Sequence, residues 1–159
     1  MKKAIKVMIG ISFVFYILAL IMLLLVGVMF VGIRGQIWTN LSLIEYIKSS
    51  SNFVPFKTIS TYLTAMFTGS INIDIPIKNL LGNLVMFLPM GIYLPYYIKR
   101  LNKVGSFTLS MIVLLFVIEV TQLVTRRGSF DIDDFILNVA GALIGFGIWK
   151  TKFIQRLLR

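Results

Sequence analysis

The residues able to do chemistry gather between Glu119 and Asn138, in EVTQLVTRRGSFDIDDFILN. This stretch holds four of the six acidic residues of the chain, set between two segments of nearly unbroken apolar character, so its charge needs a specific use. Glu119, Gln122 and Arg126 are spaced by three and four and fall on one helical stripe. A glutamate at membrane depth should face the protein interior, be paired or be protonated, and Arg126 or Arg127 is its expected partner. Two uses fit: an ion pair that fixes helix packing, and a ligand contact or proton-handling carboxylate. Asp131, Asp133 and Asp134 precede the next apolar segment, where carboxylates cap free N–H groups and complement the helix dipole. One aspartate is enough for a cap. Three within four residues also admit a divalent cation held by oxygen ligands, or a cationic group of a ligand.

Asn138 follows Asp134 by one turn, and Asn79 and Asn83 are one turn apart in another apolar segment. Asparagines in such places commonly bond across helices, and their shared depth with Glu119 also suits a common polar pocket. Other chemistries are excluded by composition. Without cysteine there is neither a disulfide framework nor a thiolate nucleophile, and without histidine the usual general base and commonest metal ligand are missing. The net charge of +10 does not point to nucleic acid, because the basic residues sit in short clusters beside apolar runs. That is the pattern of orientation signals and of contact with anionic headgroups.

The elements that position these groups are membrane helices. Over 159 residues the chain is 58% hydrophobic, and its mean hydropathy is +0.91, well above an ordinary soluble domain. Spans are expected near residues 7–33, 79–98, 107–125 and 134–152. The first is too long for the apolar core of a signal peptide and lacks a cleavage site, so it reads as a retained helix. Pro89 lies mid-way along the second, where the carbonyl of Val85 loses its donor and the helix should kink. The fourth is short in apolar residues, so either the bilayer thins or the helix runs on through Lys150 and Lys152. Its Gly141 and Gly145 let a neighbouring helix approach closely.

Between the first two spans, Ile37, Trp38, Leu41, Ile44, Tyr46 and Ile47, and then Phe56, Ile59, Leu63, Met66 and Phe67, recur at helical spacing around a break at SSSN. These are expected to be short helices in the interface, with Trp38, Tyr46 and Tyr62 at headgroup depth, or packed on the bundle. The expected fold is therefore all-α: a single polytopic membrane domain over residues 1–159, with four transmembrane helices and one or two short interfacial helices after the first span. The two termini and the 99–105 loop carry ten basic residues and no acid, so they are expected on the cytoplasmic side of the plasma membrane, with the Glu119–Asn138 stretch facing outward.

Four blocks in order carry a resemblance: NFVPFKTI (Asn52, Pro55, Phe56), NLLGNLVMFLPMG (Asn79, Gly82, Asn83, Phe87, Pro89, Gly91), EVTQ (Glu119, Gln122) and RRGSFDIDDFILNVAGALIG (Arg127, Asp131, Asp133, Asp134, Asn138, Gly141, Gly145). In these the chain resembles the VanZ-like family of small bacterial membrane proteins. The resemblance covers most of the chain after the first span and implies a role at the cell envelope. The family's namesake gives resistance to the lipoglycopeptide teicoplanin without changing the peptidoglycan precursor. The resemblance adds Asn52 to the expected ligand-binding set of Asn79, Asn83, Glu119, Gln122, Arg126, Arg127, Asp131, Asp133, Asp134 and Asn138.

Two classes of function follow as expectations. One is a non-enzymatic envelope protein whose outer-face pocket engages a lipid or lipoglycopeptide, with arginines holding phosphate or carboxylate and the kinked helix opening an apolar slot. The other is a membrane enzyme acting on a lipid-linked phosphate or glycopeptide through Asp, Arg and Glu residues. Membrane lipids are the expected partners, no nucleic acid is expected, and no cofactor is expected beyond a divalent cation on Asp131, Asp133 and Asp134.

Overall fold

A computed structural model describes residues 2–34, 41–126 and 128–158. Ile37, Trp38 and Arg127 lie outside these, so the expectations that rest on them are not taken up below. Helix α1 runs Lys2–Arg34, α2 Leu43–Ser49, α3 Lys57–Thr68, α4 Asp74–Met86, α5 Met90–Tyr97, α6 Val104–Val124, α7 Ile132–Lys150 and α8 Lys152–Leu158, with a 3₁₀ turn at Lys99–Asn102. Four helical stretches are long and apolar enough to cross a membrane: Lys3–Leu23, Asp74–Tyr97, Val104–Val124 and Ile132–Lys150.

Helix α7 is the hub, because it packs against α4, α5 and α6 together. Small residues make this possible. A Cβ on Gly141 would overlap the carbonyl oxygen of Leu84, one on Gly145 that of Leu88, and one on Gly91 the backbone of α7 at Ala142 and Phe146. The close approach expected from Gly141 and Gly145 is thus backbone against backbone. On α6 the buried positions Phe107, Met111, Leu115, Glu119 and Leu123 recur every four residues, so a single stripe turns inward. Phe107 stacks on Phe146 with centroids 4.7 Å apart, while Leu109, Val113, Phe116 and Val117 stay exposed on the lipid-facing side.

The second span begins at Asp74, five residues earlier than the apolar run suggests, because Pro76 is accommodated in the first turn, where no intrahelical donor is needed. Its interruption is sharper than a kink. Residues 87–89 form a turn in which Leu88, Met90 and Gly91 donate to the carbonyls of Val85, Phe87 and Leu88, three residues back. The Val85 carbonyl therefore keeps a donor, at 3.2 Å from the Leu88 nitrogen. At the end of α4 the Met86 carbonyl accepts the Tyr16 hydroxyl of α1 at 2.9 Å, and Phe13 and Tyr16 pack their rings on Tyr93.

The fourth span stops at Lys150 instead of continuing through Lys152. Thr151 is extended, at φ −66° and ψ 139°, and the chain turns into α8. Beginning at Ile132, its 19 residues reach roughly 28 Å at the helical rise, close to a full bilayer core without local thinning.

Both short helices exist. Ser42 and Glu45 form a reciprocal capping box at the start of α2, and the Ser42 hydrogen bonds hold the exposed Glu45 carboxyl below the usual carboxylate range. Tyr46 follows the packed alternative: it is buried against Leu123 and Phe130, and its hydroxyl donates to the Gly128 carbonyl at 2.8 Å. Apolar surface remains outside, with Ile44 at 67% and Phe67 at 90% exposure, as interfacial helices require. The SSSN segment is more than a break. Ser51–Asn52 (β1) pairs in parallel with Phe130–Asp131 (β2), tying the region before α3 to the loop before α7. A two-residue ladder leaves no periodicity by which sequence could reveal it.

Candidate functional site

Three aspartates at the start of α7 have three different surroundings. Asp133 is fully buried, and its carboxylate accepts the backbone N–H groups of Phe56 at 2.5 Å, Thr58 at 2.7 Å and Ile59 at 3.1 Å. It is the cap of α3, supplied from another helix. The local reason is that α3 has no cap of its own: Phe56 occupies the N-cap position in the left-handed region, at φ 64°, with no side-chain oxygen to offer. Charged acceptors hold such N–H groups strongly and complement the helix dipole.

Asp131 caps α7 itself by accepting the Asp133 N–H at 2.9 Å. It also accepts the Asn52 side-chain amide at 3.1 Å and the Thr58 hydroxyl at 2.6 Å. Asn52 and Thr58 are themselves bonded at 3.1 Å, so the NFVPFKTI block and the aspartate loop lock each other. These bonds use the acceptor capacity that made a divalent cation attractive. Among the described residues no group of three or more acidic side chains is arranged to hold a metal ion.

Asp134 remains. It accepts the Asn83 amide at 2.5 Å across the α4–α7 contact and is only partly buried. One turn further along α7, Asn138 is 4% exposed and its Oδ1 has no hydrogen-bond partner among the described residues. Glu119 is 7% exposed on the inward stripe of α6, within electrostatic range of Asp134 and Asp131. It pairs with no arginine among the described residues. Arg126, one of its two expected partners, leaves the helix in the left-handed conformation at φ 55° and lies over the Tyr46 ring at 5.8 Å. Helical spacing put Arg126 on the Glu119 stripe, but α6 ends at Val124, so the stripe does not extend that far.

The site is thus acceptor-rich: Glu119, Asp134 and the Asn138 carbonyl from α6 and α7, with the Asn83 amide from α4. Tyr62 on α3 belongs to the same field. Partial burial, then the charges of Asp134 and Asp131, push its phenol up. Two expected members stand apart. Asn79 is exposed and donates back to the Ile75 carbonyl of its own helix at 2.9 Å, and Gln122 packs over Gly128 in the loop. Thr58 and Tyr62 were missed as site residues because an amphipathic helix carries threonine and tyrosine for many reasons. A proline and a phenylalanine where a cap should stand were the available signal that α3 takes its cap from elsewhere.

An apolar slot lies on the other flank of the broken helix, away from the outer face where one was expected. A cavity of about 220 Å³ beside Pro89 is lined by Ile9, Ser12, Leu88, Ile92, Tyr93, Tyr96 and Leu158. It lies toward the basic termini and shares no residue with the acidic cluster.

A model of the VanZ/LLP1 family matches residues 13–155. No match is found among curated proteins, and none among solved structures.

Proposed function

The chain belongs to the VanZ/LLP1 family, and on that premise we propose that it is a bacterial envelope protein that contributes to resistance against teicoplanin-type lipoglycopeptides by binding an amphiphile's polar head at the Glu119–Asp134–Asn138 end of the bundle. The observation that carries the reading is the buried Asn138 Oδ1, without a donor among the described residues, on the α7 face that also bears Asp134, whose charge acts on Glu119. An unpaired buried acceptor costs about 1–3 kcal/mol, which a donor-bearing ligand would recover. Acceptors of this kind favour an ammonium or a set of hydroxyls. The phosphate or carboxylate expected from the double arginine fits less well, since Arg126 is turned toward Tyr46.

Susceptibility testing in a sensitive bacterium, with membrane levels matched by immunoblot, checks this. Glu119→Gln, Asp134→Asn and Asn138→Leu are each expected to lose about tenfold in ligand affinity, the scale of one charged hydrogen bond, and so to return teicoplanin susceptibility toward the empty-vector level. Sensitivity to a glycopeptide lacking the lipid tail should move less. Resistance preserved in all three variants would rule the cluster out as the binding site.

The reading requires the acidic end to face outward and both termini to be cytoplasmic, as the acid-free basic end suggests. Because the chain has no cysteine, single Ser70→Cys and Lys103→Cys variants report this directly. A membrane-impermeant maleimide should label the first in intact cells and the second only after lysis, and the reverse order would refute the orientation.

A further inference from the structure

A cavity of about 790 Å³ lies at the opposite end from the acidic cluster. Its wall carries three lysines from three parts of the chain: Lys6 of α1, Lys99 of the 3₁₀ turn and Lys150 of α7. No aspartate or glutamate occurs in residues 1–33, 99–118 or 139–159, the segments that build this end, so no acidic side chain from them neutralises the lysines. The cavity is rigidly framed. Asn102 Oδ1 accepts the Trp149 indole N–H at 2.8 Å, its backbone carbonyl accepts Lys150 Nζ at 2.6 Å, and its amide donates to the Pro95 carbonyl at 3.1 Å. Tyr96 meets Trp149 edge to face at 6.1 Å. One asparagine therefore fixes an aromatic wall and one lysine, leaving Lys6 and Lys99 to face an incoming anion.

The second observation is adjacency. Tyr96 and Leu158 line this cavity and also the apolar slot beside Pro89. Ile9, Leu88 and Ile92 line the rest of the slot. A basic chamber beside an apolar one, with Tyr96 and Leu158 in the wall of both, matches a molecule with a negative head and a hydrocarbon tail, whereas a soluble anion would use the chamber alone.

We propose that the basic end of the bundle binds an anionic phospholipid, with the phosphate among Lys6, Lys99 and Lys150 and an acyl chain in the slot between α1 and α5. The site is separate from the acidic cluster and shares no residue with it. Its occupant bridges α1, α5, α7 and α8, and so fixes the first helix against the rest of the bundle.

Trp149 is a built-in reporter. With Trp38→Phe as background it is the only tryptophan, and quenching by acyl-brominated phosphatidylglycerol, titrated into phosphatidylcholine nanodiscs, reads occupancy. Saturation at a low mole fraction is expected. A Lys6→Gln/Lys99→Gln variant should need roughly tenfold more of the lipid or beyond, from the loss of two headgroup charges. The Lys103→Gln/Lys152→Gln variant removes the same charge from exposed positions outside the cavity and should titrate like the parent. Ile9→Trp fills the slot and, scored by co-purified lipid phosphorus, should lower retained phosphatidylglycerol. Equal titration by both lysine pairs would reduce the effect to general surface charge and overturn the site, as would quenching by brominated phosphatidylcholine at the same mole fraction. Inorganic phosphate is expected not to displace the lipid at millimolar concentration; full displacement by phosphate alone would overturn the assignment to a lipid.

Discussion

Asp133→Ala is expected to cost about 3–5 kcal/mol, the range for leaving a buried network without its charged partner, and to release the segment from Asn52 through the start of α3. The carboxylate accepts three backbone N–H groups from residues 56, 58 and 59, none of which has another acceptor in a side chain of α3. Without it, Phe56 has no compensation for its left-handed conformation, and the first turn of α3 is left with buried donors. The thermal midpoint in detergent should fall, and limited proteolysis should cut within residues 53–58 under conditions that leave the parent intact. Asp133→Asn should fall between the two, because the amide keeps one acceptor and turns a donor toward N–H groups. Asp74→Asn, an exposed acid at a helix start, is the control. An unchanged cleavage pattern in Asp133→Ala would show that α3 does not depend on this cap.

Gly145→Leu should be at least as damaging. Its Cβ would run into the Leu88 carbonyl, which belongs to the turn that interrupts the second span, and neither backbone can move without breaking the three-residue hydrogen bonds there. Overpacking against backbone costs about 3 kcal/mol or more, and the variant is expected to lose its monodisperse peak in size-exclusion chromatography. Gly141→Leu should behave alike through the Leu84 carbonyl, while Gly147→Leu, where a Cβ meets nothing within 4 Å, should be tolerated. Normal folding of Gly145→Leu would mean that α7 and the second span do not pack at the distance described.

The acidic end links these effects to function. Asn83 and Asp134 join α4 to α7 at the same interface that the glycines close, so loosening it separates two walls of the candidate site. Asp131 and Asp133 hold α3, and with it Tyr62, over that site. Resistance lost in Asp133→Ala would therefore report structure, whereas loss in Glu119→Gln, which makes no hydrogen bond among the described residues, reports the site itself.

What the amino-acid order determined was set by neighbours within a turn or two. Runs of apolar residues long enough for a bilayer placed four spans, and the 141–145 glycine spacing announced a close helix contact. The cost of a charge at membrane depth put Glu119 on an inward face, and the helical spacing of Ile44 and Ile47 announced α2. These signals survive because the forces behind them, burial of apolar surface and local hydrogen bonding, act within one element.

The division of labour among three aspartates could not be read that way. Asp133 serves N–H groups 74 to 77 positions away, Asp131 an amide 79 away and Asp134 an amide 51 away. Which carboxylate meets which donor depends on how α7 lies against α3 and α4. The same holds for Arg126, whose stripe ended with the helix, and for Lys6, Lys99 and Lys150, which are far apart in order and meet only where α1 returns against α5 and α8. The tertiary structure alone decided these. It brings carboxylates within hydrogen-bond distance of donors far away in the chain once the apolar surfaces have closed, and no local pattern encodes that distance.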